Sequence, residues 1–401
     1  MGDKALSGIK VIDLSWNIAG PYCTKLLADY GAEVIKIEQP EVGDPSRLEG
    51  PFPNDYVNSE ASGLFSYLNH NKSGITLNLK TKNGINILKE LVKEADVLVE
   101  NFSPKVMPSF GLSYEVLKEI NPQLVMTSIT NFGQNGEYKD YKATELITQA
   151  ISGFVSQMGE MSREPLRAGG ALRLLEYFAG TFAASATLAA ISGRRKTNEG
   201  KHVDVSITEC GVLLMPYRNV QNTFTTCASF YNRYISIPSI EKCKDGYVGI
   251  NLLTGQHWQD FCFMTEMYEW AEDPRFMELF KRSEPGNKEI FRERFDQWLM
   301  QHTTEEIFQL GVEWRIPITP IITFTEMLRF PQYKEREFFV KVQHPVMGEV
   351  EQPGAPFQLY KAPWGIEKTA PLLGEDNKHV FGSILGYSEE EIQEMRTKGI
   401  I

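Results

Sequence analysis

Cysteine is scarce and scattered. Cys23, Cys210, Cys227, Cys243 and Cys262 make an odd count of five with no C-x-x-C pair, so neither a disulfide framework nor a zinc site is suggested and buried thiols are the ordinary reading for most of them. The six histidines show no H-E-x-x-H or other close ligand spacing, so no metal is expected. No run of about 18 apolar residues appears, and the N-terminus, MGDKALSGIK, lacks the apolar stretch of a signal peptide. A cytosolic protein that does not enter a membrane is the expectation. Basic residues are outnumbered, 41 against 52 acidic ones, and dispersed; no nucleic-acid surface is expected. A phosphorylated ligand is still admissible, because local lysines or helix N-termini are enough to hold its phosphates. Internal repeats and low-complexity tracts are lacking too.

With 401 residues and 42% apolar composition, the chain can bury a large core, and two domains are expected. Ile9–Leu14 (IKVIDL) reads as a buried strand, Ser15–Gly20 as a turn, Pro21 as a first helical residue, Tyr22–Tyr30 as a helix and Ala32–Glu38 as the next strand. This βαβ unit lacks G-x-G-x-x-G, its turn being Ser-Trp-Asn-Ile-Ala-Gly-Pro, so a nicotinamide dehydrogenase is disfavoured. Further strands are expected over Ile75–Leu79, Asp96–Phe102 and Leu124–Ile129, and helices over Asn83–Glu94, Ser113–Ile120 and Leu146–Gly153. After Cys210 the pattern loosens, and Thr223–Pro238 reads as an aromatic loop. A hairpin turn at Lys244–Tyr247 and helices over Gln256–Thr265, Lys288–Gln301 and Glu305–Leu310 follow, the last capped by Thr303 or Thr304. The expected division is a large α/β domain over 1–222 and 331–401 and a small α+β domain over 223–330.

The stretch from Arg173 to Glu209 carries the most information. Glu176 opens it, and small residues follow at helical spacing: Ala179, Ala183, Ala186 and Ala190 in one stripe, Gly180, Ala184 and Thr187 in the next. A helix of this kind can pack very close to other backbone. It is expected to stop at Gly193, cross the polar turn Lys196–Lys201 and re-enter as a strand at His202–Ile207. Glu176 thus stands at the positive end of a helix dipole, which favours its ionised form. Spacing alone favours simple dipole compensation for such a carboxylate.

A carboxylate followed by two residues and Ala-Gly, then an Ala-rich helix, a basic pair, Thr-x-x-Gly and a Val-Asp-Val strand resembles the core signature of the class III CoA-transferases, the formyl-CoA and carnitine type. The N-terminal string LSGIKVIDL, AGP, LLADYGAEVIKIE and GDPSR resembles the same family. So do Trp314–Ile321, Gly354–Phe357 and Ala370–Glu375, and the likeness covers nearly the whole chain. It implies a Rossmann-like large domain, a smaller domain and two chains interlocked as linked rings. In the family the residue at the position of Glu176 is an aspartate nucleophile. The resemblance therefore implies Glu176 as the catalytic group, with Glu145 a second carboxylate near the reaction centre. Coenzyme A, as the acyl-CoA substrate, is implied to contact Ile18, Ala19, Gln39, Asn71, Lys72, Asn101, Phe102, Ser103, Ser109, Lys142 and Thr144. Gln39 and Ser109 stand where arginines are frequent in the family, and Tyr231–Ser236 lacks the glycine run of the formyl-CoA transferases. Thr144 and Glu145 replace the His-Asp pair of the related racemases, so an acyl-CoA racemase or isomerase is the weakest reading. The implied function is transfer of CoA from an acyl-CoA to a carboxylic acid through enzyme-bound anhydride and thioester intermediates. The alternative is a non-catalytic CoA-binding subunit of a heteromer of the benzylsuccinate CoA-transferase type. The partner is then a second copy or a homologous chain; the acids exchanged are not legible.

Overall fold

The structure, a computed structural model, describes residues 4–159, 164–166, 173–224 and 237–401. It divides into two compact units, one of 1–158, 166–226 and 337–401, the other of 159–165 and 227–336. The Tyr231–Ser236 stretch, expected to replace a glycine lid, lies outside the described residues.

Six short apolar segments build the sheet of the larger unit: β1 (Lys10–Asp13), β2 (Glu33–Glu38), β3 (Lys72–Thr76), β4 (Val97–Glu100), β5 (Val125–Thr130) and β6 (His202–Ser206). All pair in parallel, in the order β3-β2-β1-β4-β5-β6. The chain runs outward from β1 to β3, returns beside β1 as β4 and then runs the other way. The order reverses between β1 and β4, and in open α/β sheets ligands bind beyond the carboxyl ends of the strands at such a point.

Both faces of the sheet are covered, which is why its strands read as near-continuous apolar runs and not as alternation. The helices of the larger unit up to residue 224 are α1 (Ala19–Asp29), α2 (Gly63–Asn69), α3 (Lys82–Lys93), α4 (Val106–Ser109), α5 (Tyr114–Ile120), α6 (Glu145–Ile151), α7 (Leu174–Thr197), α8 (Ile207–Leu213) and α9 (Pro216–Phe224). On one face α1 and α7 pack on Val11, Val34, Val99, Val125 and Ile129. On the other, α3 and α5 join the C-terminal helix Glu389–Thr397 over Ile12, Ile37, Leu98 and Met126.

Helix α7 has the length and composition of a membrane span, yet its small-residue face is built into the core. Ala179, Gly180, Ala183, Ala184 and Thr187 are buried, and the Thr187 hydroxyl meets that of Thr127 on β5 at 2.7 Å. A Cβ on Gly180 would lie 2.6 Å from the Ala19 carbonyl oxygen at the start of α1. Only glycine permits that approach.

Several boundaries differ from expectation: α7 runs on through Gly193 to Thr197, and the helix expected over Glu305–Leu310 spans Thr304–Trp314. α1 starts at Ala19, two residues before Pro21. β3 runs over Lys72–Thr76, not Ile75–Leu79, because it pairs with β2 from Val34↔Lys72 to Glu38↔Thr76 and ends with its partner. The alternation of Ile75, Leu77 and Leu79 continues past the strand because the chain stays against the core. An antiparallel hairpin, Phe339–His344 with Gly348–Pro353, was not expected.

In the smaller unit a three-stranded antiparallel sheet, Ile240–Lys242, Tyr247–Ile250 and Ile318–Pro320, accompanies an aromatic core of Trp258, Phe261, Phe276, Phe291 and Phe295. Thr303 caps the helix Thr304–Trp314 with a reciprocal bond from Glu306.

Lys72 lies inside this framework. It is fully buried, and its ammonium group donates to Asp13 Oδ2 at 3.0 Å, the Pro21 carbonyl at 3.0 Å and Asn69 Oδ1 at 2.8 Å. The expectation that Lys72 contacts CoA is thereby corrected: its three donors are all taken by the protein. Burial lowers the Lys72 ammonium to about 8 against the pull of Asp13. Burial also opposes the charge on Asp13, but Lys72, Lys36, Ser15 and Thr24 outweigh it and hold that carboxyl at about 2. Removing one partner strands the other charge in a dry site. Lys72→Met is expected to cost about 3–5 kcal/mol in chemical unfolding. A variant of wild-type stability whose only defect is a raised KM for acyl-CoA would return Lys72 to the ligand site.

Candidate active site

The carboxyl end of β1 leads into residues 14–18, and polar contacts fix that turn from three sides. Asp13 accepts from the Ser15 backbone N–H at 3.0 Å. Asn101, just past β4, accepts from the Trp16 N–H at 2.8 Å and donates to the Trp16 carbonyl at 2.7 Å. Asp44 accepts from the Asn17 N–H at 3.0 Å and from the buried Lys36 ammonium at 2.7 Å. Asn17 itself is left-handed, at φ 62°. Asp44 belongs to the GDPSR turn, so that turn braces the β1–α1 connection. Arg47 anchors the same turn through Glu38, at 2.7 and 2.8 Å, and through Glu60 at 2.9 Å.

Beyond these strand ends lies a cavity of about 220 Å³. Leu14, Ile37, Leu77 and Phe102 give it apolar walls, and Trp16, Gln39 and Lys80 also line it. The Trp16 and Phe102 rings meet edge to face at 5.3 Å. Apolar walls with a lysine among the lining groups are the chemistry that takes an aromatic base and a nearby phosphate. Lys80 was missed by sequence reasoning. The signal was available once β3 ends at Thr76, because Lys80 then falls beyond the carboxyl end of a strand.

At the first turn of α1 the backbone makes the closest contact with α7. Ile18 and Ala19 are buried, and the Ile18 carbonyl accepts from the Tyr22 N–H at 2.8 Å. The Ala19 carbonyl faces Gly180, one helical turn past Glu176. The Tyr22 ring also meets that of Tyr177, the residue after Glu176, edge to face at 4.9 Å. Glu145 opens α6, and its Oε1 accepts from the Leu175 N–H at 2.9 Å and from Gln149 at 2.8 Å, so it caps the start of α7. Its other oxygen is buried with no hydrogen-bond partner among the described residues.

Glu176 is mostly buried, with 20% of its side chain exposed, and Arg173 Nη1 lies 4.0 Å from its Oε2. Burial pushes its carboxyl up to about 7; Arg173 opposes the rise, while Glu145 and Glu49 add to it. Desolvation and the two neighbouring carboxylates thus work against the ionised form that a helix N-terminus favours. Arg173 has left-handed backbone, φ 45° and ψ 51°, and its Nη2 donates to both oxygens of Glu49 at 2.9 and 2.8 Å. Neither Arg173 nor Glu49 was singled out from sequence.

The remaining positions scatter. Asn71 sits at the amino-terminal end of β3, where its amide donates to Asp29 and Gly365 and its oxygen accepts from Glu367 and Lys368; it is spent on the framework. Ser103 and Ser109 are exposed at the two ends of the α4 turn, and the Ser109 hydroxyl donates to its own Val106 carbonyl. Lys142 and Thr144 are exposed on the segment that leads into α6. Among the described residues no group of three or more His, Cys, Asp or Glu side chains is placed to hold a metal.

These features agree with what the chain resembles. The family description CoA-transferase family III matches residues 6–377. A succinyl-CoA–D-citramalate CoA-transferase of Chloroflexus aurantiacus is 30% identical over 99% of this chain and 98% of that protein. A formyl-CoA:oxalate CoA-transferase of a Bradyrhizobium species is 31% identical over 99% of this chain and 97% of its own length. A crystal structure of a CAIB/BAIF family protein from Brucella suis superposes with a TM-score of 0.84 at 26% identity, covering 96% of this chain and all of that one. With one family's pattern running almost from end to end, and relatives at about 30% identity over the whole chain that are CoA-transferases, the chain belongs to CoA-transferase family III and transfers CoA between an acyl-CoA and a carboxylic acid.

Proposed function

We propose that Glu176 is the group that carries CoA during transfer, and that the acyl-CoA lies with its adenosine end toward Trp16, Phe102 and Lys80 and its thioester at Glu176. The supporting observation is the close approach of Ala19 to Gly180, which sets the β1–α1 turn beside the first turns of α7. In the first half-reaction the Glu176 carboxylate attacks the acyl carbonyl and the carbon–sulfur bond breaks, giving a mixed anhydride and the CoA thiolate. The thiolate attacks the glutamyl carbonyl, the donor acid leaves as carboxylate, and CoA is held as a glutamyl thioester. An acceptor carboxylate then attacks that thioester. The released thiolate takes the acceptor's acyl group and Glu176 is freed as carboxylate. No net proton moves, so the site has to exclude water more than it has to shuttle protons. Glu145 supports this by fixing the first turn of α7, and with it the backbone that aims Glu176.

The relatives named above act on citramalate and oxalate, and a small acid is the matching substrate here. Those relatives are transferases by name over their whole length, which does not favour the non-catalytic subunit. We also propose a two-chain assembly. Leu146, Ile147 and Ile151 of α6, Phe178, Phe182 and Leu188 of α7 and Val220 and Phe224 of α9 are exposed, and apolar surface of that kind marks an interface.

Several measurements bear on this reading. Incubation with an acyl-CoA followed by borohydride or hydroxylamine should change the mass of the Glu176 peptide, and Glu176→Gln should abolish the change; an unmodified peptide in an enzyme that turns over would remove Glu176 from the role. Only the carboxylate is nucleophilic, so kcat/KM for acyl-CoA should rise with pH through about 7. The same displacement makes stability fall across that range, because between about 4.5 and 7 the folded state holds a proton that the unfolded state has lost. The Tm difference between Glu176→Gln and wild type should therefore grow in favour of the variant from pH 5 to pH 8, and a constant difference would contradict it. Lys80→Ala should raise KM for acyl-CoA about tenfold with little change in kcat; an unchanged KM would move the phosphates elsewhere. Sedimentation should give twice the 45.5 kDa chain mass, whereas a single-chain species would end the two-chain proposal.

A further inference from the structure

Two arginine–glutamate pairs involve the segment that follows β2, and they differ in one respect. Arg47 is 1% exposed and bound to Glu38, which is fully buried; both belong to the frame. Arg173 and Glu49 are 31% and 36% exposed, so solvent and small anions reach them. The open pair is the one beside the reacting carboxylate: Arg173 Nη1 is 4.0 Å from Glu176, while its Nη2 is held by both oxygens of Glu49.

We infer that Arg173 receives the second carboxylate of a short dicarboxylic acid substrate, and that Glu49 occupies the guanidinium until that carboxylate displaces it. This rests on the reading of Glu176 as the CoA-carrying group. Three carboxylates, Glu176, Glu145 and Glu49, share this corner with Arg173, the one cation among the described residues that acts on Glu176. An entering dianion meets net repulsion there unless it takes over that cation's partner. Exchange of one carboxylate for another keeps the Arg173 guanidinium paired and frees the half-exposed Glu49 to turn toward solvent. A monocarboxylic acid has no group for this exchange. The left-handed backbone of Arg173 fits the same role. A non-glycine residue in that region costs free energy and persists where the side chain's direction matters, and here no side chain of residue 173 caps the helix it precedes. Glu49 is then a competitor for the substrate, not a support for it.

The consequence is a pair of opposite effects. Initial rates of CoA transfer from one acyl-CoA donor are measured with succinate and glutarate against butyrate and valerate, which match them in carbon number but lack the second carboxylate. For Arg173→Gln the ratio of dicarboxylate to monocarboxylate kcat/KM is expected to fall about 10- to 100-fold, with Arg173→Lys intermediate. For Glu49→Gln the KM for the dicarboxylates is expected to drop, with the monocarboxylates little changed. Using a ratio cancels any general effect on Glu176 or on folding. If Arg173→Gln slows both acid classes equally, or if Glu49→Gln raises the dicarboxylate KM as Arg173→Gln does, the pair is structural and the inference is overturned. If the wild type forms the Glu176–CoA adduct yet prefers the monocarboxylates, this inference alone fails. If no adduct forms and neither acid class accepts CoA, the assignment of Glu176 fails and takes the inference with it.

Discussion

The arrangement depends on one close approach, that of the Ala19 carbonyl to the backbone of α7 at Gly180. Two helices on the same face of a parallel sheet ordinarily stand 8–10 Å apart, separated by side chains. Here a missing Cβ lets the first turn of α1 sit almost on the second turn of α7. The turn before α1 comes from the carboxyl end of the central strand, where the order of the sheet reverses. The helix that bears Glu176 is thereby packed directly on the helix that leaves the strand-end turn.

Charge is handled in two ways around that contact. Beneath the β1–α1 turn, Asp13, Lys36, Asp44 and Lys72 are buried and fully paired, so that desolvation is offset and the turn has one geometry. At the head of α7 Arg173 is the cation among the described residues that faces Glu176, and burial, with Glu145 and Glu49, raises the Glu176 carboxyl against it. The first arrangement gives the turn one geometry, and the second leaves a carboxyl whose charge its surroundings oppose. Both follow from the same low dielectric. What separates them is whether an opposite charge lies within hydrogen-bonding reach.

Much of the architecture could be read from the chain itself. Near-continuous apolar runs separated by amphipathic helices describe a parallel sheet covered on both faces, and β1, β2, β4, β5 and β6 fall within a residue or two of the expected places. The start of α7 was legible to within two residues, at Glu176 against Leu174, but its end was not, because the helix continues through Gly193 to Thr197. The ends of β3 were not, because apolar alternation reports burial, and the chain remains buried after its pairing with β2 stops. That single slip hid Lys80. Lys72 was misplaced for a related reason: sequence gives a lysine's charge but not whether its amine meets solvent or a buried aspartate.

The sequence by itself determined the fold class, the family and the presence of a carboxylate at the mouth of an alanine-rich helix, since periodicity and local motifs are properties of neighbouring residues. Tertiary structure alone decided which charges are sealed and which stay open to a ligand. Glu49 and Arg173 are 124 positions apart, and no local pattern joins them. Their pairing beside Glu176 exists only because the turn after β2 and the start of α7 meet in space, where distance, and not sequence, sets the strength of an electrostatic interaction.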